Sequence, residues 1–132
     1  FEEKRDVDSL EKRAPPPDIG KAAFARFGDN DKVKGIITFV EEFDVGATHR
    51  VLITVAVFSD GFVSPNINDY RFFIGNNEVT NDFFGLSIDS PRAKFSDCNV
   101  SIDGLKVKDI IGKQFLITLN DKKIGRDKIS AY

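Results

Sequence analysis

Residues 50–58 constrain the fold most. Val51, Ile53, Val55 and Val57 alternate with Leu52, Thr54, Ala56 and Phe58. A strand puts successive side chains on opposite faces, so this stretch is apolar on both. It is therefore expected at the centre of a sheet, with Ser59-Asp60-Gly61 closing it.

The same period of two recurs along the chain. Residues 21–27 place Ala22, Phe24 and Arg26 on one side, and Gly28-Asp29-Asn30-Asp31 makes a turn. Val33, Gly35, Ile37 and Phe39 then share a face, which makes a β-hairpin with the preceding strand. Asp29-Asn30-Asp31 opens like a calcium loop but lacks the glycine at the sixth position and the glutamate at the twelfth. Glu41 to Gly46 reads as a connector, Ser64 to Asp69 as a turn-rich loop and Tyr70 to Ile74 as a short aromatic strand. Asn81 to Ile88 is a further strand, broken by Ser90-Pro91. Lys94 to Ile102 is one bent strand or two short ones, and Phe115 to Leu119 follows Ile110-Ile111-Gly112. The tail to Tyr132 adds a last short edge. Seven or eight short antiparallel strands at this spacing predict an all-β sandwich or barrel.

Composition narrows the functional classes. The 132 residues suit one domain, and a chain of this length buries roughly two thirds of its unfolded surface. Thirteen are Phe, and none is Trp or Met. A net charge of −2 gives no footprint for nucleic acid or an anionic membrane. No apolar run reaches the roughly 20 residues of a membrane-spanning helix. Cys98 is the only cysteine, which excludes a disulfide within the chain and a multi-cysteine metal site. It reads as a small buried hydrophobe, a free thiol or an intermolecular bridge.

Residues 1–20 differ from the rest. Phe1 to Arg13 are polar, charged and aperiodic, and they carry the dibasic pairs Lys4-Arg5 and Lys12-Arg13. The second pair resembles a site for a Kex2-type processing protease of the fungal secretory pathway, which needs an exposed, extended segment. A charged tail with chance dibasic pairs, or the remnant of an added leader, fits the same residues. A start at Phe1 rather than Met points to a signal peptide already removed. Cleavage after Arg13 leaves Ala14 ahead of Pro15-Pro16-Pro17, a stiff spacer. Residues 1–20 are thus expected to be a disordered pro-segment and linker, and residues 21–132 the domain. Asn99-Val100-Ser101 is an N-glycosylation sequon.

Three segments resemble the copper/zinc superoxide dismutases, a Greek-key β-barrel family, in the form of its secreted fungal copper-only members. Residues 28–39 resemble the first hairpin, a short turn followed by V-x-G-x-I-x-F. Tyr70-Arg71-Phe72-Phe73-Ile74-Gly75 resembles the F-H-I-H strand that supplies copper ligands. Residues 109–118 resemble the late S-I-I-G-R-S-V-V-I-H segment. The resemblance implies copper ligands where this chain has Phe73, Gly75 and Thr118. Residues 76–96 contain neither the histidine nor the cysteine of the family's intervening loop. Copper that cycles between oxidation states is held by several imidazoles, and His49 is the only histidine. The expectation is a non-catalytic member with no cofactor.

His49 beside Arg50 reads as a solvated loop residue, since no nucleophile motif accompanies it. Lys106, Lys108, Lys113, Lys122, Lys123, Arg126 and Lys128 make the last third locally basic. That suits solubility and edge protection, or a surface for an anionic polysaccharide or a protein partner. The expected role is extracellular binding, as an effector or cell-surface factor, through the loops Glu41 to His49, Gly61 to Asp69 and Gly75 to Asp82. Phe62 and Phe83 are the candidate contact anchors. The alternatives are a structural protein of a spore coat or cell wall linked through Cys98, and an enzyme with a carboxylate metal site.

Overall fold

The computed structural model describes residues 21–43, 50–95, 100–103 and 105–132. Two antiparallel sheets pack face to face. The larger holds β1 (Ala22–Phe27), β2 (Lys34–Phe43), β3 (Arg50–Asp60), β6 (Leu86–Asp89), β7 (Arg92–Phe95), β8 (Val100–Asp103) and β11 (Ser130–Ala131). Its order is β11-β1-β2-β3-β7-β6, with β8 also pairing with β3. The smaller holds β4 (Tyr70–Ile74), β5 (Asn77–Glu78), β9 (Gln114–Leu119) and β10 (Lys122–Lys128), in the order β10-β9-β4-β5. The all-β sandwich expected from the alternation is what the chain forms.

The alternation decides which residues face inward. On β1 these are Ala23, Ala25 and Phe27; on β2, Ile37 and Phe39; on β3, Leu52, Thr54, Ala56 and Phe58. Gly35 continues the β2 series because a Cβ there would strike the Val57 carbonyl and the Phe58 ring. From the smaller sheet come Tyr70, Phe72, Ile74, Phe115 and Ile117. Phe115 is the meeting point. Its ring centroid lies 6.1 Å from Phe27 and 6.0 Å from Phe39 on the larger sheet. It lies 6.4 Å from Phe72 and 5.6 Å from Phe83 on its other side. Aromatic pairs at these separations favour tilted and edge-on geometry, and most of these are tilted.

Polar clamps fix how the first and last hairpins meet. The Arg26 amide donates to Asp127 Oδ2 at 2.8 Å, and the Arg126 amide to Asp31 Oδ1 at 3.0 Å. Asp31 also closes its own turn, accepting from the Gly28 amide. The residues that mimic a calcium loop are therefore a turn and an inter-hairpin strut. Asn120 and Asp121, with φ of 49° and 65°, form the tight β9–β10 turn, as two-residue hairpins require.

Several local expectations change. β3 is central in its sheet, but its second face is open toward the strand's end: Val51 is buried, whereas Val55 is 41% and Val57 52% exposed. β-branched residues fit a pleated surface whether or not a layer covers it. Residues 80–83 form a 3-10 turn, so the strand expected from Asn81 begins only at Leu86. The segment from Lys94 to Ile102 is divided between β7 and β8. The eleven strands among the described residues exceed seven or eight partly through two-residue pairings such as β5 and β11.

Phe115→Ala is expected to lower the unfolding free energy by about 3–5 kcal/mol, the cost of an unfilled aromatic site in a rigid core. Phe115→Leu should cost clearly less. Urea unfolding monitored by circular dichroism measures both, and a loss below about 1 kcal/mol for the alanine variant contradicts the central role assigned to this ring.

Candidate functional site

The three positions to which the resemblance assigns copper ligands fall on β4 and β9, which are neighbours. Register pairs Arg71 with Thr118, Phe73 with Leu116, and Ile74 with Phe115. Ile74 and Phe115 point into the core, so Arg71, Phe73, Leu116 and Thr118 point outward. Phe73 and Thr118 are thus diagonal neighbours on the outer face of the smaller sheet. Gly75 follows β4 with φ +58°, its amide donating to the Gln114 carbonyl at 2.8 Å. The Lys113 stem lies over it, the Cδ 3.1 Å from where a Cβ would stand.

β10 extends this face. Lys123 pairs with Thr118, Arg126 with Leu116 and Lys128 with Gln114, and a register shift between Lys123 and Gly125 leaves all three outward. On the other side, Glu78 pairs with Phe73. Arg71 has a 3.8 Å ion pair with Asp121, both side chains more than half exposed, so its contribution is small. An open depression of about 660 Å³ lies at one end, bordered by Asn76, Asn77, Lys113, Gln114 and Arg126.

Thr118 is anomalous on this face. It is only 9% exposed, and its Oγ1 is buried with no hydrogen-bond partner. A buried hydroxyl without a partner loses its hydration and gains nothing in return.

Among the described residues, no three of His, Cys, Asp and Glu stand close enough to hold a metal ion. His49, Cys98, Asn99 and the dibasic pairs Lys4-Arg5 and Lys12-Arg13 lie outside the described residues.

The aromatic anchors are corrected by burial. Phe62 and Phe83 are both fully buried. Phe62 packs between Phe58 at 4.7 Å and Tyr70 at 4.8 Å, and Phe83 stacks on Phe72 at 4.4 Å. Neither ring reaches a partner. Both rings turn inward and join the hydrophobic core. Phe84, the neighbour of Phe83, is the 50% exposed one.

The loop from Gly61 to Asp69 is pinned as well. Tyr70 Oη donates to the Ser64 carbonyl at 2.8 Å and accepts from the Ser64 amide at 3.0 Å. Ser64 Oγ donates to Asp69 Oδ2 at 2.6 Å. Burial raises the Tyr70 pKa above its ordinary 10.0; the Ser64 hydrogen bond opposes this, and the Asp69 charge adds to it.

Glu41 is not part of the connector that its sequence neighbours suggest. It is fully buried within β2, and its Oε1 accepts from the Val107 amide at 2.8 Å. It thereby caps the helical turn Val107–Ile110, a role sequence reasoning missed. The signal was present: Glu41 has the parity of Ile37 and Phe39, and so faces inward.

No protein-family model matches the chain, and the curated proteins contain no match. Among the described residues, no helix is long and apolar enough to cross a membrane.

Thr118→Val removes an unsatisfied hydroxyl and should leave the melting temperature unchanged or higher, with a gain of at most about 1 kcal/mol. A marked loss would mean that the hydroxyl has a partner. Tyr70 holds its proton to higher pH when folded than when unfolded. Its contribution is complete below pH 10.0 and is lost as pH rises from there through the folded-state value. Urea midpoints measured between pH 8 and 11.5, limits chosen at about two units below and one and a half above the ordinary value, should fall less steeply in Tyr70→Phe than in the parent. Parallel curves would exclude this coupling.

Proposed function

We propose that this chain is a secreted, non-catalytic β-sandwich of the superoxide dismutase type, acting through its surface on an extracellular partner as an effector or cell-surface factor. The observation that carries the reading is the register of β4 against β9. It brings residue 73 beside residue 118 on one outward face, with residue 75 at the strand end. A phenyl ring, a hydrogen and a buried hydroxyl stand there, and none serves as the imidazole donor that redox copper requires. The two antiparallel sheets, ordered β11-β1-β2-β3-β7-β6 and β10-β9-β4-β5, are compatible with a sandwich of that type. The dibasic pairs and the Asn99 sequon support passage through a secretory pathway.

The test is to purify the protein from a secreting host, determine its copper and zinc content, and assay superoxide dismutation. The expected result is no stoichiometric copper and no activity above background. Stoichiometric copper together with dismutation overturns the reading. Mass spectrometry of the same material is expected to place the mature N-terminus at Ala14 and a glycan on Asn99.

A further inference from the structure

The outer face of the smaller sheet carries a charge pattern at odds with the chain as a whole. The net charge is −2, yet this face presents Arg71, Lys123, Arg126 and Lys128, with Lys113 at its end, against Glu78 and Asp121. All of these side chains are exposed. Among the described residues, Lys123, Arg126 and Lys128 have no ion pair. Strand geometry sets their spacing. Arg126 and Lys128 are two residues apart, about 7 Å along the strand, and Arg71 and Lys123 are two strands apart, about 9.5 Å. The cations are therefore spread over a flat surface and not gathered around one point. A single small anion does not satisfy such an array, whereas a chain of recurring negative charges does.

Two further features narrow the chemistry. Phe73 and Leu116 lie side by side in the middle of the face, both half-buried, and make a flat apolar strip. Asn76, Asn77 and Gln114 border the adjoining depression with exposed amides. Amides bond hydroxyls as both donor and acceptor, and a flat ring packs against the C–H face of a sugar. Cations for sulfate or carboxylate, amides for hydroxyls and a ring for the pyranose face make one consistent set.

We propose that the outer face of the four-stranded sheet binds a linear anionic polysaccharide, with Arg71, Lys123 and Arg126 pairing with its charges, Phe73 packing on a sugar ring, and Asn76, Asn77 and Gln114 bonding its hydroxyls. This rests on the binding role proposed above and gives it a partner class. Attraction between exposed charges is screened by salt, so binding weakens as ionic strength rises.

The experiment measures binding of the whole chain to heparin, dextran sulfate, uncharged dextran and a single-stranded oligonucleotide, at low and at physiological salt. Expected are binding to heparin and dextran sulfate, none to dextran, and a loss of at least tenfold between the two salt conditions. Lys123→Glu with Arg126→Glu should weaken heparin binding more than tenfold. Both side chains are exposed, and Lys123→Gln with Arg126→Gln, which adds no repulsion, should weaken it in the same direction. Phe73→Ala should weaken it severalfold while keeping the salt dependence. Arg92→Glu with Lys94→Glu, on the other sheet, should leave it unchanged. Failure of heparin to bind at low salt overturns the proposal, as do equal loss from the far-sheet variant and oligonucleotide binding as tight as heparin binding. Copper content and dismutation are measured on the same preparation. Absent polysaccharide binding without copper sinks this proposal alone, whereas copper with dismutation sinks the non-catalytic reading beneath it.

Discussion

The sandwich depends on a contact between rings. Phe115 extends from the smaller sheet to touch Phe27 and Phe39 of the larger one, with Phe72 and Phe83 behind it. The chain has no Trp or Met, so bulk at this interface has to come from Phe. Rings have only two side-chain torsions and lose little entropy for the area they bury. That suits a chain of 132 residues, where the surface-to-volume ratio leaves little margin. The loops serve the same end: Phe62 and Phe83 lie outside the strands yet are buried in the core.

Around this apolar centre the carboxylates act as struts. Asp31, Asp127 and Glu41 each accept a backbone amide from a distant element. Each answers a donor that the strand ladders or the helical turn leave unpaired. A hydrogen bond to a charged acceptor is stronger than a neutral one. The buried Glu41 is the extreme case, since a carboxylate enters an interior only where donors await it. These three side chains are committed to architecture, and among the described residues no three of His, Cys, Asp and Glu converge on one point.

Much of the fold was legible because a period of two survives local noise. Ile37 and Phe39, then Leu52, Ala56 and Phe58 fall inward as their parity requires, whereas in the first strand Ala23, Ala25 and Phe27 turn inward and not the Ala22, Phe24 and Arg26 set that the sequence grouped. What parity cannot convey is whether a second layer covers the other face, and the exposed Val55 and Val57 show the limit. Nor does it distinguish a ring that fills a loop from one that projects: Phe83 and Phe84 are adjacent and identical, yet one is buried and the other half exposed. Glu41 is hidden from such a reading because its charge points outward while its parity points inward. The grouping of Arg71, Phe73, Thr118 and Lys123 needed the register itself, since three strands remote in sequence supply it.

The placement of positions 73 and 118 separates stability from function in a physical sense. Ile74 and Phe115 are core partners on the inward side of the same two strands. Exchanging the side chains that alternate with them leaves the ring contacts intact, because they project from the opposite face. The outer face of β4, β9 and β10 can therefore carry ligands, charges or apolar rings at little cost to the sandwich. Thr118 marks how far that freedom extends: beside the long side chains of Arg71 and Lys123 it is covered, and its hydroxyl becomes the one polar side-chain atom among the described residues both buried and unpaired. A surface whose composition the core does not dictate is free to vary, and here it carries a run of cations on a chain whose net charge is −2.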